Sequence, residues 1–118
     1  MSEFKVTRIV TTSDGGSKFL HMDIPLDITN PLGNLSKKYD VKGVVFRETE
    51  GTYDLDWHNA PCKQFIIMVD GSVDITTTDM ETRRFNTGDI ILVEDTEGKG
   101  HRSKNVDGKP RKSMFVQF

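Results

Sequence analysis

From Phe65 to Val69 the chain is wholly apolar, and it then meets Asp70-Gly71 before continuing as SVDITT. A short apolar run of aromatic and β-branched residues closed by Asp-Gly reads as the first arm of a β-hairpin, here returning through Val73 to Thr77. Ile90 to Val93 is a second run of this kind, launched by Gly88-Asp89. Strands that lack the apolar/polar alternation are covered on both faces. Two of them in one small chain require either a closed sheet backed by a further layer or a sheet backed by a second subunit.

The rest of the chain agrees with that constraint. Leu20, Met22, Ile24 and Leu26 recur at spacing two, with His21 and Asp23 between them, which predicts a half-buried strand with His21 turned to solvent. Val6 to Val10 predicts a first strand near a sheet edge. Further strands are expected over Val41–Arg47, Thr52–Trp57, Gln64–Val69, Thr82–Phe85, Ile90–Val93, His101–Lys104 and Lys112–Phe118. Gly, Asp, Asn and Pro punctuate them. Residues 27–40 carry proline, glycine and two asparagines without apolar periodicity, and they predict a loop long enough to lie over a barrel mouth. Nine or ten short strands with no space for crossover helices imply an all-β antiparallel sandwich or barrel.

At 118 residues, one domain can bury a core without disulfides. The 16 basic and 18 acidic residues are interspersed, and the short basic groups Lys37-Lys38 and Lys109 to Lys112 read as solvated charge, so no nucleic-acid partner is expected. The single cysteine, Cys62, precludes an intramolecular disulfide and fits a reducing compartment. No apolar run reaches the roughly 20 residues of a membrane span, and the expectation is a cytoplasmic protein without a membrane partner.

Candidate chemistry lies in two stretches, Gly51 to Gly71 and Gly88 to Asn105. Each delivers one histidine beside a strand end, His58 and His101, which is what a metal or ligand site inside a barrel requires. If His58 faces such a cavity, period two turns Asp56 and Asp54 inward as well and makes Asp56 a candidate general base; a local bulge would reverse the assignment. Gln64, Ile66 and Met68 share an inward face, which predicts an apolar pocket with one polar end, suited to a small, partly hydrophobic molecule. Trp57 and Tyr53 read as packing residues, with Trp57 near enough to the pocket to be a candidate lining residue. Glu94, Asp95 and Glu97, with Gly98 and Gly100, predict a solvated acidic turn before His101; the competing reading is a gate or a carboxylate that orients His101.

These residues resemble a small single-domain cupin of the RmlC-like superfamily. That family's first motif is a glycine, a His-x-His pair, a spacer of three or four residues, a Glu or Gln, six residues and a closing glycine. Gln64 and Gly71 fit the last two positions. The three-residue spacer places the pair at His58 and Ala60, followed by Pro61 at the turn; the four-residue spacer would place it at Trp57 and Asn59. The second motif, a glycine leading through a strand to a histidine with asparagine four residues on, is matched by Gly88, His101 and Asn105, with a longer loop and Glu94 in place of the usual proline.

The resemblance implies an antiparallel double-stranded β-helix, or jelly roll, over residues 1–118. Residues 41–118 form its core, and 1–40 contribute N-terminal strands and a loop. It also implies a metal centre, of which His58, Gln64 and His101 remain as ligands. A neutral amide replaces the carboxylate and Ala60 supplies no donor, so a weakly held Zn, Ni, Fe or Mn ion is expected. The expected functions are a metal-assisted isomerase, lyase or oxygenase on a small organic substrate, a small-ligand-binding barrel without turnover or physiological metal, or a dimeric interaction domain. A homodimer is expected in each case.

Overall fold

The computed structural model describes residues 2–118 and contains twelve strands: β1 (Glu3–Thr11), β2 (Ser17–Pro25), β3 (Ile28–Asn30), β4 (Gly33–Leu35), β5 (Gly43–Thr49), β6 (Asp54–His58), β7 (Gln64–Asp70), β8 (Val73–Thr76), β9 (Thr82–Phe85), β10 (Ile90–Val93), β11 (His101–Asn105) and β12 (Arg111–Gln117). Among the described residues no helix is long and apolar enough to cross a membrane. One sheet has the order β2-β1-β10-β7-β12-β5, a second the order β6-β11-β8-β9, and β3-β4 forms a separate hairpin. The two large sheets face each other as a jelly roll, with Ile9, Phe19, Met68, Ile75, Ile91 and Phe115 in one core cluster between them.

One pairing departs from the expected antiparallel pattern. β1 lies parallel to β10, with Thr7, Arg8 and Ile9 opposite Ile91, Leu92 and Val93. No tight turn joins these two strands, so nothing local imposes the antiparallel direction. The N-terminal residues are integral to the larger sheet: β1 and β2 pair along their whole length, and Val6, Ile9, Phe19 and Ile24 are buried.

The double coverage of β7 has a specific source within the chain. Ile66 and Met68 face the inter-sheet core, while Phe65 turns outward into a second cluster with Val6, Ile24 and Leu92. Tyr39 meets the Phe65 ring edge-on at 5.9 Å, and Phe118 packs against it at 5.4 Å. The segment after β4 therefore covers the outer face of the sheet instead of closing a mouth, because its aromatic side chain finds apolar surface there. Residues 27–40 also contain a short hairpin that lacks the periodicity needed to be foreseen.

β5 is left as an edge strand. Val44 and Phe46 project from it into solvent, Phe46 with 76% of its surface exposed, beside the exposed Val69 of β7.

Candidate functional site

The mouth of the sandwich opens between β5, β12 and β7 on one side and β6 and β11 on the other. It leads to a cavity of about 260 Å³ lined by Tyr53, Leu55, His58, Gln64, His101 and Arg111, with Ile66, Ile75, Val93 and Phe115 as its apolar floor. This volume falls just under the roughly 300–1,000 Å³ of pockets for drug-sized molecules and suits a small metabolite.

His58 and His101 are brought together. They are partners across the β6–β11 ladder, and their ring centroids are 4.4 Å apart. The register shifts immediately beyond them, so that Ser103 pairs with Leu55 and β6 carries one extra residue. This bulge decides which side chains enter the cavity. Leu55 and His58, three apart, both point inward, while Asp56 and Trp57 are turned out. Asp56, expected as the base if strict alternation held, has a side chain 82% exposed, paired with Arg102 at 3.3 Å. Trp57 stacks outside the barrel beneath the same Arg102 guanidinium. Of the expected lining residues, Gln64 and Ile66 line the cavity, whereas Met68 lies beneath it in the core and Trp57 is outside.

Each histidine has one nitrogen engaged. His58 Nδ1 lies 2.7 Å from the Asp56 carbonyl oxygen, which can only accept, so Nδ1 carries the proton and Nε2 is left as an acceptor. Burial pushes the His58 pKa below its usual value; the bond to Asp56 opposes this, and the neighbouring His101 and Arg47 reinforce it. His101, itself buried, has Nδ1 2.5 Å from Asp95 Oδ2. Asp95 is fully buried, and its backbone carbonyl accepts from the Ala60 amide and Asn59 Nδ2. The expected solvated turn is therefore corrected at this residue: Asp95 is the carboxylate that orients His101. Glu94 is also engaged, with Arg8 at 2.6 Å, and Glu97 remains exposed. Asn105 is a structural clasp, its Nδ2 donating to the carbonyls of Glu50, Thr49 and Lys109.

The His58 shift has a stability consequence. A histidine whose folded pKa is depressed binds fewer protons than its unfolded counterpart between the folded value and about 6.5, so stability is fully present above that window and declines as pH falls through it. Urea unfolding at stepped pH should show a decline from pH 7 toward pH 5 that is shallower in His58→Gln; identical slopes would refute the assignment.

The residues fit a resident metal poorly. Among the described residues no three His, Cys, Asp or Glu side chains converge on one point. Gln64 Oε1, the expected third ligand, accepts from Gln117 Nε2 at 3.2 Å and has Cys62 Sγ 3.9 Å away, so the amide nitrogen is the group left for the cavity. Arg47 and Arg111 also line the space and repel a cation.

Several lining residues carry no local signal in the sequence. Arg111 lies in a basic run that reads as solvated charge, although Arg111, Ser113 and Phe115 alternate as the inward face of β12. Tyr53 lines the cavity instead of only packing, its Oη 2.6 Å from Ser103 Oγ. His21 is exposed as expected, with Nε2 3.0 Å from Arg83.

The fold and cavity together define an all-β jelly roll with paired histidines inside. Among solved structures, the chain is similar to the protein NMB1881 from Neisseria meningitidis, at 15% identity over 68% of this chain and 78% of that one, with a TM-score of 0.51. It is also similar to a structure assigned to ethanolamine utilization protein Q (EutQ) from Salmonella typhimurium LT2, at 11% identity over 98% and 96% of the two chains, with a TM-score of 0.45. At this identity the first likeness bears on the fold alone, and the second supports nothing further. No family model and no curated protein matches the sequence.

Proposed function

We propose that this chain is a small cupin whose interior cavity binds a small organic molecule through the His58–His101 pair, without a tightly held metal. The observation that carries this reading is the arrangement of the two imidazoles: adjacent, lining one cavity, each with Nδ1 occupied and Nε2 left for a ligand. A hydroxyl or amine on the bound molecule would donate to these nitrogens, and the apolar floor would take its hydrocarbon part. The single free cysteine fits a cytoplasmic setting. A homodimer belongs to the same proposal, since the β5 edge leaves Val44 and Phe46 for a second copy to cover; a monomeric mass in sedimentation equilibrium would remove that part.

The test is a thermal-shift screen of metabolite-sized compounds, run with and without Zn²⁺ and Ni²⁺, on native protein and on His58→Ala and His101→Ala. Hits that stabilise the native protein without metal and lose their effect in both variants are expected. Stabilisation by metal alone, or hits indifferent to both substitutions, would overturn the reading.

The buried His101–Asp95 pair favours a second reading, in which the bound molecule is also turned over by metal-independent proton transfer, as in an isomerase or lyase. His101 Nε2 would accept a proton from the substrate, and Asp95 would stabilise the resulting imidazolium. Absence of deuterium incorporation into a bound compound in D₂O would leave binding alone.

A further inference from the structure

Arg111 is 97% removed from solvent, with 3% exposure, yet no acidic side chain among the described residues lies within ion-pair distance of it. Its Nε is buried with no hydrogen-bond partner. Desolvating a guanidinium without a counter-charge is costly, and such groups are ordinarily paired. The Tyr53 ring 5.3 Å from the guanidinium offers a cation–π contact, which compensates only in part.

The second arginine of the cavity strengthens the case. Arg47 projects from β5 with its guanidinium 4.2 Å from the Phe115 ring, close enough to Arg111 for the two charges to oppose each other, and it has no ion-pair partner among the described residues either. Two arginines and no aspartate or glutamate line the space. Asp95 lies behind the wall with its charge directed at His101. His58 and His101, which are neutral or positive and never negative, supply no counter-charge either.

We propose that the cavity is a carboxylate site: its ligand is a small organic acid whose carboxylate is received by Arg111, with Arg47 closing over it at the mouth, while a donor group of the same molecule reaches the histidine pair. The inference rests on the small-molecule reading above and narrows it to one chemical class. Guanidinium is suited to the task, because its planar donors match the two oxygens of a carboxylate. The acid must be compact, given a cavity of about 260 Å³ with an apolar floor.

Matched acid and amide pairs provide the test: acetate against acetamide, lactate against lactamide, benzoate against benzamide, titrated into the full chain and followed through arginine Nε–H and histidine signals in ¹H–¹⁵N spectra. At least one acid should bind about tenfold or more tightly than its amide, consistent with a charge-assisted bond, and should move the Arg111 Nε–H signal. Arg111→Met should abolish the preference, and the native spectra decide the matter should that variant fail to fold. Amides binding as well as acids, with shifts at the histidines, would overturn the carboxylate class and leave the small-molecule reading intact. Silence from every acid and amide pair overturns the carboxylate class; the small-molecule reading itself falls only if the metabolite screen is also empty.

Discussion

Replacing Gly100 by alanine should cost at least about 3 kcal/mol and separate the two histidines. The Gly100 backbone has φ of +72°, which L side chains rarely adopt, and a Cβ there would come within 1.9 Å of the His58 carbonyl oxygen and 2.4 Å of its carbonyl carbon. Neither side of this contact can yield easily. The Gly100 carbonyl is held by Ser17 Oγ at 2.6 Å, and His58 is fixed in the ladder opposite His101. Relief would come only by parting β6 from the start of β11, which is where the cavity is built. Denaturant unfolding of Gly100→Ala should therefore show a markedly lower midpoint. A ligand hit from the screen should fail to bind the folded fraction. Wild-type stability in this variant would mean that the approach of the 96–100 loop to β6 is not as described.

Asp95→Ala is expected to lower stability by about 2–3 kcal/mol and to release the His101 ring. The substitution leaves a buried Nδ1–H without its acceptor and opens a small void at a fully buried position. Asp95→Asn separates the structural from the electrostatic part, since the amide oxygen can still accept from Nδ1 while the negative charge is gone. Histidine ¹⁵N shifts should report a retained Nδ1–H tautomer in Asp95→Asn and a mixture in Asp95→Ala. Were both variants to keep the native His101 signals, the carboxylate would not be the orienting group.

The cavity was only partly legible in the sequence. His58 ends one strand while Gln64 and His101 begin two others, and the resemblance of their spacing to a known pair of motifs is what places the three near one another. Ile66 followed by simple alternation from Gln64. Asp56 did not, because alternation is a rule for regular strands, and one extra residue between Leu55 and His58 reverses every assignment on its N-terminal side. Nothing in the run DLDWH marks that insertion. Arg111 was hidden for a different reason: a charged residue among other charged residues carries no local signal of burial, and only the pairing of β12 between β5 and β7 carries it inside.

Asp95 illustrates the same limit. A cluster of acids and glycines has the composition of an exposed turn, and its neighbours Glu94 and Glu97 do meet cations or solvent. What draws one member inward is the anchoring of the loop by Lys99 on Gly15 and by Asn59 on Gly98, contacts between segments far apart in the chain.

Sequence alone therefore determined the all-β character, the hairpin at Asp70-Gly71 and the doubly covered strands, because spacing-two patterns and turn residues act over a few neighbouring positions. The tertiary structure decided which charges enter the cavity, what holds each imidazole, and what backs the outer face of β7. Those depend on a bulge and on the closure of two sheets, which bring together residues that no local pattern connects.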